Sequence, residues 1–203
     1  MRKLELSTTT QHSKRRTMTY RKFLPLLIGS ILLISSSAFA QRVSEKDIAL
    51  QEKFIDASRE QLLGNLEKAA KLYEEILKEA PNNDAAAYDL ARVYDQQEDG
   101  EKALRYIRMA IENAPDNPWY RHFLANLYQK QNKNREAAEV YAELVKKEPS
   151  NEEYYYRWAY FLVKANEIDA ALKVYDTFEK RIGINEEIIR RKHSLYVGIG
   201  NNK

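Results

Sequence analysis

The 203-residue chain contains no cysteine, only six glycines and five prolines, and only three histidines. Without cysteine there can be no disulfide, no thiolate metal site, no thiol catalysis and no lipid anchor on a processed N-terminal Cys. The scarcity of Gly and Pro, beside frequent Ala, Leu, Glu and Lys, favours helix over sheet. The histidines, His12, His122 and His193, are too scattered for metal-ligand spacing, so no metal site is expected. Gly198-Ile199-Gly200 lacks both the preceding strand and the following Lys-Ser/Thr of a phosphate loop, and no Gly-x-Ser-x-Gly elbow occurs. Acid pairs such as Glu74-Glu75, Glu152-Glu153 and Glu186-Glu187 fall on helix surfaces or starts, where they are solvated or complement the helix dipole. No catalytic constellation and no cofactor site emerges, and the chain is not expected to be an enzyme.

A surplus of one charge sign is also missing from most of the chain. The net charge is +3, but seven of the 33 Lys/Arg and one of the 30 Asp/Glu lie in the first 40 residues. The remainder holds 26 basic and 29 acidic residues, a charge of −3, which offers no electrostatic case for nucleic acid. The basic excess belongs to a segment with the pattern of a secretory signal. Arg21 and Lys22 precede the uncharged apolar run Phe23–Ile34, and Ala38-Phe39-Ala40 puts small residues where a signal peptidase reads. Residues 1–40 are read as a signal peptide cleaved between Ala40 and Gln41, with an uncleaved anchor as the other reading. Both place the rest of the chain outside the cytoplasm, periplasmic or secreted. Met18 stands just before the segment as an alternative start.

What the chain does have is a period. Pro81, Pro115 and Pro149 are 34 residues apart. The same step separates Ala57, Ala91, Ala125 and Ala159, and again Ala69, Ala103, Ala137 and Ala171. Larger apolar residues keep register in Tyr73, Ile107, Tyr141 and Tyr175, and in Ile76, Ala110, Leu144 and Phe178. Such self-similarity marks a stacked repeat. Each unit reads as two antiparallel helices. Alanine lets the paired backbones approach, large residues fill the space between units, and proline ends the second helix. Asn82-Asn83, Asp116-Asn117 and Ser150-Asn151 then supply turn and N-cap groups for the next unit. One unit cannot bury its apolar face alone, so stacking is obligatory.

The period and its residues resemble the tetratricopeptide repeat. Residues 84–117 carry the pattern through Leu90-Ala91, Tyr94, Ala103, Ile107, Ala110 and Pro115; 118–151 and 152–185 follow it, with Gly183 in place of the last proline. Residues 50–83 match in their second half, while Asp56 and Glu60 replace the expected Leu and Tyr, as a polar capping helix would. Residues 41–49 form a lead-in. Residues 186–203 form a partial fifth repeat: a first helix over 186–197 with Ile189, Leu195 and Tyr196 in apolar places, then a turn over Gly198–Asn202. That half-unit is either a solvating cap or the edge of a longer array. The fold class implied is all-α, a right-handed superhelix, or solenoid, of stacked antiparallel helix pairs.

The resemblance further implies that the first helix of each unit lines a concave groove, through its fifth and ninth places. Here these are Tyr88 and Arg92, His122 and Asn126, Tyr156 and Tyr160; the second place adds Trp119 and the twelfth Gln129. Tyr and Trp bury much area at small entropic cost and keep a polar tip, which suits peptide recognition. Aromatic residues at helical spacing also serve as packing, and both roles stand open for this set. The Lys/Asn clamp by which some family members hold a C-terminal carboxylate is absent: Phe54, Tyr88 and Arg92 occupy its places. The expected function is an exported scaffold that binds a protein or peptide partner through this groove. The alternative is a docking or sensory arm of a larger envelope protein.

Overall fold

The 34-residue spacing of small and large apolar side chains closes into paired helices. A computed structural model describes residues 45–200, and over them it contains nine α-helices and no strand. The signal-like segment and the Ala40–Gln41 junction lie outside the described residues. The helices are α1 (Glu45–Leu62), α2 (Leu66–Glu79), α3 (Asp84–Gln96), α4 (Gly100–Asn113), α5 (Pro118–Lys130), α6 (Asn134–Lys147), α7 (Glu152–Lys164), α8 (Ile168–Arg181) and α9 (Glu186–Gly200). Each packs on its neighbours in sequence, and α1 also meets α3 across a unit boundary, the contact pattern of a helical solenoid. None of the described helices is long and apolar enough to cross a membrane.

All eight alanines of the two periodic series are fully buried, and so are Tyr73, Ile76, Ile107, Ala110 and Phe178. A large apolar side chain buried in this way stabilises the fold by about 1.5–3 kcal/mol relative to exposure. The second helices stop at Glu79, Asn113 and Lys147, two residues before each proline. The side chains of Asn83 and Asn117 accept from the backbone N–H of Ala86 and Trp119 and so cap α3 and α5. Asn151 makes no such cap, and its amide reaches Glu148 at 3.4 Å. The carbonyls of the proline turns are also claimed. Tyr155 Oη donates to Pro149 O at 3.0 Å, and Arg121, 34 residues earlier and buried, donates to Pro115 O.

A further series keeps the same step without keeping residue type. Gly64, Glu98, Asn132 and Asn166 all have φ between +57° and +79°, at the turn between the two helices of each unit. Each turn repeats one pair of bonds. At Glu98, Asp99 N–H donates to Tyr94 O at 2.9 Å and Glu98 N–H to Asp95 O at 3.1 Å, which is a Schellman cap. Left-handed backbone costs an L-residue about 1–2 kcal/mol, least for Asn and not at all for Gly. Glu98→Gly is therefore expected to raise stability by about 0.5–1 kcal/mol, with a matching rise in the urea midpoint. An unchanged or lower midpoint would contradict the strain argument.

The two ends differ from expectation. Helix α1 starts at Glu45, inside the lead-in. Glu60 accepts from Asn65 and Lys68 at 2.8 and 2.7 Å, and Asp56 pairs with Arg59, so both acids are satisfied as a cap requires. The same helix leaves Ile48, Ile55 and Leu62 exposed, seven residues apart on one face, so its outer surface is mixed rather than polar. At the other end α9 runs through Gly200, so Gly198–Gly200 is helix and not turn; glycine weakens a helix without forbidding it. Ile188, not Ile189, is the buried residue, while Ile189 and Tyr196 are 57% and 56% exposed. The reason is the cap. Asn185 Oδ1 accepts from Ile188 N–H at 2.9 Å, which sets the helix phase and turns Ile188 and Leu195 to the core.

Candidate functional site

The first helices α3, α5 and α7 present their fifth and ninth places at equivalent positions, so the sequence-derived residues fall in a row. The structure brings most, not all, of them into connected clefts. Trp119, His122 and Asn126 line a cleft of about 510 Å³ whose far wall is Tyr154 and Arg157. Tyr156 and Tyr160 line a second, of about 250 Å³, with Glu153, Arg157 and Arg191. Glu153 and Arg157 belong to both, so the two are continuous. A third cleft of about 340 Å³ continues from Tyr160 and Arg191 onto Arg190 and Ser194 of α9.

Within this row the side chains differ in freedom. Trp119 is 72% exposed at the edge of the first cleft, with its ring 5.9 Å from that of His122. His122 is half-buried between Tyr141 and Tyr154, 5.5 Å from each ring, and its Nδ1 lies 3.1 Å from Tyr141 Oη. Burial first, and then the positive Arg157, hold this imidazole below its ordinary pKa. It therefore faces the cleft as a neutral ring near pH 7, able to donate or accept. Tyr156 is half-buried against Phe178; its hydroxyl accepts from Asn185 at 3.2 Å, and the Arg191 guanidinium sits 4.9 Å from its ring centre. Tyr160 is 37% exposed and accepts from Gln129 Nε2 at 3.4 Å, a link between α5 and α7. Asn126 is exposed.

Tyr88 and Arg92 stand one unit earlier and line none of these three clefts. Tyr88 stacks on Tyr120 at 4.9 Å and meets Phe123 edge-on at 5.5 Å, a packing role between α3 and α5. Arg92 covers the Tyr88 ring at 5.7 Å and donates to Asp89 at 2.8 Å. Burial pushes the Asp89 carboxyl up in spite of that partner. Three charged residues outside the sequence-derived set complete the clefts: Glu153, read from the sequence only as one of a solvated or dipole-complementing acid pair, and Arg157 and Arg191. Their signal was the same period, since Arg157 and Arg191 are 34 residues apart at the sixth place, beside the fifth place already singled out.

Comparison with known proteins bears on this geometry. Two family models, each described as tetratricopeptide repeat, match residues 62–127 and 124–183, together more than half of the chain. The chain belongs to the tetratricopeptide-repeat family. Arrays of this family mediate protein–protein interaction, so the protein is an interaction scaffold. Solved structures agree in fold. YrrB, described as a TPR protein with an unusual peptide-binding site, is 16% identical with a TM-score of 0.55, over 79% of this chain and 87% of that one. MamA from Desulfovibrio magneticus RS-1 is 12% identical with a TM-score of 0.56, over 74% and 85%. A tetratricopeptide repeat protein from Parabacteroides merdae is 17% identical with a TM-score of 0.60, over 75% and 60%. A comparison with curated proteins gives no match.

Proposed function

We propose that this TPR protein is exported and holds a peptide segment of another envelope protein in the groove formed by the linked clefts along α5, α7 and α9. The observation that carries the reading is the row of aromatic and polar side chains on successive first helices, open at Trp119 and Tyr160 and walled by Arg157 and Arg191. A large exposed indole beside a partly desolvated imidazole is what binding hot spots are made of. The peptide-binding site ascribed to YrrB lends support by analogy of fold alone. The pattern of Phe23–Ile34 followed by Ala38-Phe39-Ala40 supports export, with a mature chain beginning at Gln41.

The test is affinity capture from envelope extract, comparing the parent with a Trp119→Ala, Tyr160→Ala variant of unchanged circular dichroism. Both residues are exposed enough for truncation to spare the fold. A partner retained by the parent and weakened about 30-fold or more by the variant is expected, the effect of losing a hot spot of about 2 kcal/mol. Equal retention would move binding off these clefts. N-terminal sequencing of the same material should start at Gln41, and retention of residues 1–40 would favour an anchor.

A second reading, a docking or sensory arm of a larger envelope protein, is favoured by α9. Ile189, Tyr196 and Val197 are exposed there. A longer array would cover them with another helix.

A further inference from the structure

The sixth place of successive units reads Asp89, Phe123, Arg157, Arg191. Charge thus changes sign along the row of first helices, and two guanidiniums fall together at the α7–α9 end. They share one cleft: both line the 250 Å³ cleft with Tyr156 and Tyr160, and Arg191 lies over the Tyr156 ring. Each is oriented by a glutamate four residues earlier. Glu153 takes the Nε–H of Arg157 at 2.7 Å, and Glu187 takes that of Arg191 at 2.6 Å. A guanidinium carries five N–H donors in a fixed fork, so one bond at Nε aims the group without exhausting it. The two side chains are 52% and 40% exposed, which keeps them available to a ligand. Lys164 lies 5.9 Å from the Tyr160 ring, and Arg190 lines the adjoining cleft. Against these four cations stand Glu153 and Glu187, which leaves this end of the row positive within a chain body that is slightly acidic.

The geometry points to an acidic peptide segment as the occupant of the α7–α9 end, its carboxylates taken by Arg157 and Arg191 while an adjacent apolar or aromatic side chain lies on Tyr156 and Tyr160. The inference rests on the peptide-binding reading of the clefts and adds the chemistry of the ligand. Arginine pairs with carboxylate bidentately, and a face of one sign rejects segments of the same sign. A basic segment would meet four cations, and a neutral one would leave the guanidiniums partly desolvated without gain.

Three short fluorescein-labelled peptides would test it, identical in their apolar and aromatic positions and carrying Glu, Gln or Lys at the others. Fluorescence anisotropy is read against the full chain, an Arg157→Gln, Arg191→Gln variant and the Trp119→Ala, Tyr160→Ala variant, each checked by circular dichroism. The Glu peptide is expected to bind about tenfold or more tighter than the Gln peptide. The arginine variant should remove most of that difference, and added salt should shrink it. Tight binding of the Gln or Lys peptide that only the aromatic variant weakens would overturn the acidic preference and leave the peptide groove standing. Glu-peptide binding that neither variant alters, or no binding of any peptide, would overturn both.

Discussion

Truncating Phe178 to Ala is expected to lower the unfolding free energy by about 3–5 kcal/mol. Phe178 is fully buried on α8. Its ring meets Tyr155 edge-on at 5.5 Å and lies 5.5 Å from Tyr156, so it is the floor under the part of α7 that faces the clefts. Removing it forfeits the transfer energy of the ring and leaves a void that two tyrosines border. Both depend on neighbours outside α7: Tyr155 holds the Pro149 carbonyl across the unit boundary, and Tyr156 is held by Asn185 at the end of its own unit. Chemical denaturation followed by circular dichroism measures the loss. Tyr196→Ala is the matched control: the sequence pattern places this tyrosine in the core, yet it is 56% exposed. Its truncation should change stability by no more than about 0.5 kcal/mol. A large effect at Tyr196, or one below about 1.5 kcal/mol at Phe178, would contradict the packing described.

Ala125→Leu should cost about 1–3 kcal/mol by the opposite mechanism. Ala125 has no exposed surface, and its equivalents Ala57, Ala91 and Ala159 have none either. Four positions 34 residues apart, each closed around one methyl group, mean that the repeat leaves no room there for a longer side chain. Added methylenes must then be absorbed by off-rotamer side chains or backbone shifts. Ala85 is exposed on α3, and Ala85→Leu is expected to stay within about 0.5 kcal/mol by the same assay. Equal costs at the two sites would show that helix propensity, not space, decides.

These two residues also show why so much of the fold was legible. Alanine at a helix crossing and a large side chain between units are demands of volume, and volume is written directly in residue type. Backbone conformation is written less directly. The left-handed turn at Gly64, Glu98, Asn132 and Asn166 has the same period, but three residue types satisfy it, and glutamate gives no hint of a positive φ. Helix phase at the end was ambiguous for a related reason. Ile188 and Ile189 are equally apolar, and the choice between them rests on one hydrogen bond, from the Ile188 N–H to Asn185. In the candidate site, the fifth and ninth places came from a family pattern, and Trp119, His122, Asn126, Tyr156 and Tyr160 do meet in connected clefts. That pattern could not say that Tyr88 is spent on Tyr120 and Phe123, because stacking depends on the next unit's residues. Nor did it point to Arg157 and Arg191, which come to line one cleft only when two units are stacked.

Helix α9 differs from every helix between α2 and α8 in having a packed neighbour in sequence on one side only among the described residues. It is fastened there by Ile188 and Leu195 and by Lys192, which reaches Asp176 at 2.8 Å and Glu179 at 3.0 Å. In a linear array of nearest-neighbour couplings, an internal element opens against two interfaces and a terminal one against a single interface. Amide protection should therefore fall toward α9 before the rest of the array loosens. Any ligand spanning α7 and α9 would supply the missing second coupling, so its occupancy would be legible as slower exchange in the last helix, far from any change in the centre of the molecule.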